Sequence, residues 1–181
     1  MTPAQQRILD TASSLFYELG TRNVGVDRVI AESGVAKATL YAHFPSKEDL
    51  VVAYLQKADR AWRGKLEAAA AAAGAHPRDQ LVGLFDALQT AGARGCAFLN
   101  TAAEAPGTPG HEVTKEHKAR VRMWVRDLAR RAGAPQPSEL ARALTLLLDG
   151  ALAAGTLDDG PAAAQSARAA ARALVDATCA S

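Results

Sequence analysis

Apolar positions along this chain recur at intervals of three and four residues, and alternation of period two is scarce. Thr2 with Pro3 behind it forms a helix start. Ile8, Ala12, Leu15, Phe16 and Leu19 then mark one face until Gly20 closes the segment. The loop TRNVG leads into VDRVIAES, where Val26, Val29, Ile30 and Ser33 pack inward and Gly34 stands at the place for a left-handed C-cap. A third helix follows Val35. Leu40 and Phe44 form its inner face, while Lys37, Ala38, Tyr41 and Ala42 share another. Pro45 stops it, and Ser46 followed three residues on by Asp49 reads as a capping box opening a fourth helix with Lys47 in its first turn.

That fourth helix carries Tyr54, Leu55, Ala58, Ala61, Trp62 and Leu66 at helical spacing and runs through an alanine tract to Gly74 and Pro77. A fifth is expected from about Pro77 to Ala93, with Leu81, Leu84, Phe85 and Leu88 on one side. RGCAFLNTAAEAPGTPG reads as a glycine break, a short helix and a Pro/Gly loop. From about Gly110 another helix aligns His117, Val121, Trp124, Val125 and Leu128, and two more follow, roughly Ser138 to Ala154 and Pro161 to Cys179. The pattern predicts nine helices and an all-α fold.

Composition agrees, since alanine and leucine dominate and aromatics make up 5% of the 181 residues. A formal charge of +2 is too small to establish a polyanionic partner. Residues 1 to 50 hold five Lys or Arg against six Asp or Glu, so any nucleic-acid affinity has to come from placement and dimerisation. The most apolar run, LTLLLDGALAAG, is interrupted by Asp149 and too short to span a bilayer, and no signal segment is seen at the N-terminus; a cytoplasmic location is expected. Two distant cysteines, Cys96 and Cys179, suit a reducing compartment and structural roles.

Two short helices joined by a tight glycine-containing turn are the elements of a helix-turn-helix. A helix that enters a DNA groove needs small residues for close approach, and the methyls of Ala38 and Ala42 are suited to meet thymine methyl groups. Lys47, placed among the free amides of a helix N-terminus, makes an anion site fit for one phosphate.

From about Arg7 to Leu55, through VDRVIAESGVAKATLYAHFPSKEDLVVAYL, the sequence resembles the DNA-binding domain of the TetR family of transcriptional regulators. The run of Gly34, Val35, Lys37, Thr39, Leu40, Tyr41, Phe44, Ser46, Lys47 and Leu50 carries the resemblance. It implies that Lys37, Thr39, Tyr41, His43 and Lys47 lie at the DNA surface, with Arg28 and the segment before Val26 on the backbone. Ala36 stands where the family often has serine and Gly25 where it often has threonine, which removes two hydroxyls.

No stretch beyond the motif reads as an extended linker, so the boundary is placed near Ser46, at the fourth helix: residues 1–46 form the DNA-binding domain and residues 47–181 a second domain, which the resemblance implies binds a regulatory ligand and forms a dimer. The last two helices favour the same reading independently: LARALTLLLDGALAAG is apolar over most of its circumference, and PAAAQSARAAARALVDATCA is rich enough in alanine for close helix approach. A homodimer through these helices would place two recognition helices one DNA turn apart on a roughly palindromic operator. The family reading is a repressor released by an unidentified small molecule.

For the effector, Cys96, Phe98, Asn100 and Glu104 mix polar groups into an apolar setting, and Phe85, His117, Trp124 and Asp149 complete a candidate pocket set. Asp149 lies within an apolar helix, where a buried carboxylate needs a partner, and a core or interface hydrogen bond is favoured over a pocket role. HEVTK at His111 fails the HExxH zinc pattern because Lys115 replaces the second histidine, and His76, His111 and His117 have no metal-ligand spacing. No P-loop, dinucleotide fingerprint or nucleophile elbow occurs. Neither enzyme activity, metal nor cofactor is expected. Two alternatives stand beside the regulator: a small-molecule binding or sequestering protein with a vestigial DNA-binding domain, and a redox or metal sensor on the same scaffold, with Cys96 as the thiol.

Overall fold

The computed structural model describes residues 1–157 and 159–179. Among them are nine α-helices, one 3₁₀ segment and no strand: α1 Pro3–Leu19, α2 Val26–Ser33, α3 Lys37–His43, α4 Lys47–Ala72, α5 Pro77–Gly83, the 3₁₀ segment Leu84–Thr90, α6 Ala97–Glu104, α7 Pro109–Arg131, α8 Pro137–Ala154 and α9 Gly160–Thr178. The fold is all-α, as the periodicity predicts.

Local chemistry sets most of these limits. Thr2 Oγ1 accepts the Gln5 N–H at 3.1 Å and Pro3 fills the first helical position, so α1 begins with its orphan donors reduced by two. Gly34 closes α2 with φ of 66°, a left-handed cap that a β-carbon would strain. Gly25 and Ala36, the two positions lacking a hydroxyl, cap α2 and α3 without any side-chain hydrogen bond. Ser46 and Asp49 form the expected box at the start of α4: the Asp49 N–H donates to Ser46 Oγ at 3.0 Å, and Asp49 Oδ2 accepts the Ser46 N–H at 3.1 Å and its hydroxyl at 2.7 Å.

One segment departs from expectation. The helix predicted from Pro77 to Ala93 is α-helical only to Gly83, then winds as 3₁₀ to Thr90. The apolar spacing explains it. Leu81, Leu84 and Ala87 form one row at intervals of three, Val82, Phe85 and Leu88 a second, and all six are buried. Three residues per turn stack both rows on the core, which 3.6 would not. Lys65 Nζ caps the far end by donating to the Thr90 carbonyl at 2.9 Å.

The chain packs as two compact units. The first contains Met1–Asp59 and Ala97–Glu116. Its core is built from Ile8, Leu15, Phe16, Val29, Leu40, Leu50 and Leu55, all at 5% exposure or less, with the Phe16 and Tyr54 rings 5.7 Å apart and tilted by 58°. The second contains Arg60–Cys96 and His117–Ser181, with a core that includes Leu66, Leu81, Phe85, Val125, Leu128, Leu144 and Val175. Cys179 is buried in that second core, and burial pushes its thiol up, as suits a packing residue. The functional division expected after residue 46 falls at the start of α4, within the first unit.

Within the first unit, Asp10 of α1 accepts from Lys57 Nζ of α4 at 2.6 Å and from Gln6 Nε2 at 2.7 Å. The Lys57 hydrogen bond holds the Asp10 carboxyl below the usual carboxylate value, with Gln6 adding to it. A carboxylate whose pKa is depressed by folding adds stability above its unfolded value and loses it as pH falls through the folded one. Both partners are substantially exposed, so the pair contributes under about 1 kcal/mol. Asp10→Asn is therefore expected to lower the melting temperature slightly at pH 7, and thermal melts across pH should show that difference shrinking as pH falls below the usual carboxylate range and vanishing once Asp10 is protonated in the folded state.

Candidate nucleic-acid interface

The surface of α3 is divided as its sequence requires. Leu40 is fully buried and Phe44, just past the last turn, is 5% exposed, which anchors one side. Lys37, Ala38, Tyr41 and Ala42 are exposed, and Thr39 and His43 are half-buried. Two alanines flanked by a long cation and a phenol leave a shallow, small-residue strip with polar groups at its edges, the shape a helix needs to lie in a major groove. His43 Nε2 lies 3.3 Å from Thr2 Oγ1, so the first residues of the described chain reach the end of α3.

Next to this strip α4 begins. Its capping box uses the Asp49 N–H, and the Leu50 N–H reaches the Ser46 carbonyl at 3.3 Å. The N–H groups of Lys47 and Glu48 are those whose helical position supplies no carbonyl partner. Lys47, half-exposed in this first turn, is the one cation among its first three residues, so the helix start combines free N–H groups with a positive side chain, the chemistry that suits an anion.

Two of the cations sought in the sequence already have carboxylate partners. Arg28 Nε meets Glu32 Oε1 at 2.8 Å one helical turn away, and Lys37 Nζ meets Asp27 Oδ1 at 3.2 Å. Asp27 and Glu32 were not singled out from sequence. The i, i+4 spacing of Arg28 and Glu32 was a usable signal, whereas Asp27 and Lys37 are ten residues apart and meet only because the Gly34 turn folds α2 and α3 together.

The candidate effector residues divide between the two units. Phe98, Asn100 and Glu104 lie on α6 in the first. Thr114 Oγ1 donates to the Phe98 carbonyl at 3.3 Å, and the Glu104 carboxylate accepts from the α1–α2 turn, through the Thr21 hydroxyl at 2.7 Å and the Arg22 N–H at 3.1 Å. The others lie in the second unit. Cys96 is half-buried, with Lys118 Nζ 3.8 Å from its Sγ, and the same ammonium is paired with Asp149. Lys118 was missed in the sequence, and it is the partner that a half-buried Asp149 in an apolar helix requires. His117 is 1% exposed. Trp124 lines a crevice of about 290 Å³ with Arg63, Leu66, Arg120 and Met123. Phe85 helps wall a larger cleft of about 880 Å³, where Leu88, Leu152 and Ala164 give apolar surface and Gln89, Gln165 and Arg168 polar groups. Among the described residues no three His, Cys, Asp or Glu side chains gather as a metal site, and no helix is long and apolar enough to cross a membrane.

Comparison with known proteins places this architecture. Residues 8–54 match the family of bacterial regulatory proteins of the tetR type. A TetR-family transcriptional regulator from Streptomyces coelicolor is similar over 97% of this chain and 96% of its own, at 35% identity and a TM-score of 0.89. A TetR transcriptional regulator from Chloroflexus aurantiacus, at 22% identity, shares the fold over 95% of this chain and 93% of its own, with a TM-score of 0.83. An HTH-type transcriptional regulator of Staphylococcus aureus is 40% identical over 53 residues, a match spanning 29% of either chain.

Proposed function

Because the chain belongs to the TetR family of transcriptional regulators, we propose that it is a ligand-responsive DNA-binding regulator that represses transcription until a small molecule releases it from a roughly palindromic operator. The observation that carries this is the exposed face of α3, with Lys37, Ala38, Tyr41 and Ala42, followed directly by the capped N-terminus of α4 with Lys47. In this reading α3 enters the major groove, with Thr39, Tyr41 and His43 near the bases and sugar-phosphate edges. Lys37, Arg28 and Lys47 meet phosphates. Residues 1–46 supply the DNA contacts and residues 47–181 the response and the dimer.

Dimerisation through α8 and α9 is supported by leucines left facing outward on those helices: Leu146 is 65% exposed and Leu174 36%. The effector would occupy the second unit, where the cleft beside Phe85 has the volume of a small-molecule pocket. We place this activity in the cytoplasm, where its DNA is. The Lys118 contact to Cys96 favours one second reading, in which oxidation of that thiol provides the release signal.

The direct test is selection from a random-sequence duplex pool with the purified protein, followed by fluorescence anisotropy on the enriched duplex and a scrambled one. Enrichment of two inverted half-sites about one helical turn apart is expected. Equal, weak binding to both duplexes would overturn the proposal in favour of a small-molecule binder with a vestigial DNA-binding domain.

The paired cations add a prediction. Lys37 must exchange Asp27 for a phosphate, and Asp27 itself adds negative charge facing the DNA. Asp27→Asn is expected to raise affinity for the scrambled duplex about threefold while raising operator affinity less, so that discrimination falls. An unchanged ratio of the two affinities would show that Asp27 stands clear of the DNA.

A further inference from the structure

The turn joining α1 to α2 is shaped around a carboxylate that comes from more than 80 residues away in the chain. Glu104 Oε2 accepts both the Thr21 hydroxyl and the Arg22 N–H. Its other oxygen, Oε1, occupies the space beside Gly20, where a β-carbon would fall only 2.6 Å away. Gly20 has φ of 89°, a backbone that side chains rarely adopt, so this glycine both turns the chain and makes room for the acid. Thr21 is 5% exposed, and a buried hydroxyl without an acceptor is costly. Three consecutive residues are thus fitted to one side chain. The neighbouring Asn23 serves another part of the same turn, its Nδ2 donating back to the Leu19 carbonyl at 3.0 Å.

This turn sets the angle at which α2 leaves α1, and α2 is held to α3 by the tight Gly34 turn. The acid that fixes it belongs to α6, outside the DNA-binding helices yet inside their compact unit. We infer that, given the operator-binding function proposed above, Glu104 is a positioning residue for that function: through Thr21 and Arg22 it sets the aim of the helix-turn-helix without touching DNA.

The test compares Glu104→Ala, Glu104→Gln and Thr21→Val with the wild type on the duplex that the wild type enriches from a random pool and on its scrambled counterpart, alongside thermal melts and amide exchange at Arg22. Glutamine keeps an oxygen able to accept both donors. Glu104→Gln is therefore expected to bind within about twofold of wild type, whereas Glu104→Ala weakens operator binding about tenfold, leaves the scrambled duplex nearly unchanged and speeds exchange of the Arg22 amide. Thr21→Val, which loses one of the two hydrogen bonds, is expected to weaken operator binding about threefold and keeps the test valid if the alanine variant does not fold. Faster Arg22 exchange with unaltered operator affinity would overturn the inference and leave Glu104 a local fastening. Equal losses on both duplexes, tracking the melting temperature, would overturn it likewise. A wild-type protein that enriches no duplex would instead remove the proposed function, a result read before any variant is compared.

Discussion

Exchange of Tyr41 and Lys47 together for alanine is expected to weaken binding to the enriched operator by about two orders of magnitude, with the melting temperature held within about 2 °C of wild type. The two side chains act differently. Tyr41 stands 39% exposed on the small-residue face of α3, where a phenol gives both a flat apolar edge and a hydroxyl to a base or phosphate. Lys47, in the first turn of α4, is proposed to meet a phosphate together with the free N–H groups there. Neither is needed by the core, and a lysine in the first turn of a helix is mildly unfavourable to the helix itself, so its removal does not unfold the unit. Anisotropy titrations with circular-dichroism melts check this. Arg130 of α7, 73% exposed at its side chain, serves as a control cation whose loss is expected to leave operator affinity nearly intact.

The second large effect concerns stability. A β-carbon on Gly83 would lie 2.2 Å from that of Ala73 and 3.2 Å from the Ala69 carbonyl oxygen. The backbone there, φ of −64° and ψ of −29°, is one any residue adopts, so the constraint is steric and comes from the close approach of α5 to the end of α4. Gly83→Ala is expected to destabilise the protein by about 2 kcal/mol, overpacking outweighing the gain in helix propensity. The melting temperature should fall by about 5 °C. Moving the methyl, in the double variant Ala73→Gly with Gly83→Ala, is expected to recover most of the loss. Additive losses in that double-mutant cycle would show that the two carbons do not oppose each other.

What could be read from sequence followed the range of the interaction. Thr2, Pro3 and Gly20 delimit α1, and Gly34 ends α2, because each acts within a turn of its own position. The exposed strip on α3 was legible for the same reason, since Leu40 and Phe44 fix which side is buried. The Leu84–Thr90 segment shows the limit of periodicity: apolar residues at both three and four apart allow either winding, and packing of both rows selected the tighter one. Long-range pairs were out of reach. Lys118 and Asp149 are 31 residues apart and Glu104 is 83 from Thr21, so nothing local distinguishes them from any other charged side chain. Glu104 sits on a short apolar helix, which in sequence suggests a pocket, and only the fold brings the α1–α2 turn to it.

The carboxylates beside Arg28 and Lys37 also bear on how binding responds to ionic strength. A cation that meets a DNA phosphate displaces a condensed counterion, and each such event steepens the fall of log K with log salt by about 0.9. A cation that first leaves a carboxylate exposes an anion that gathers sodium from solution, so part of the released salt is taken back up. If Arg28 and Lys37 meet phosphates as proposed, the slope for this protein should therefore fall short of the number of phosphates it touches, and the complex should keep more of its affinity as salt rises than a surface of unattached lysines and arginines would.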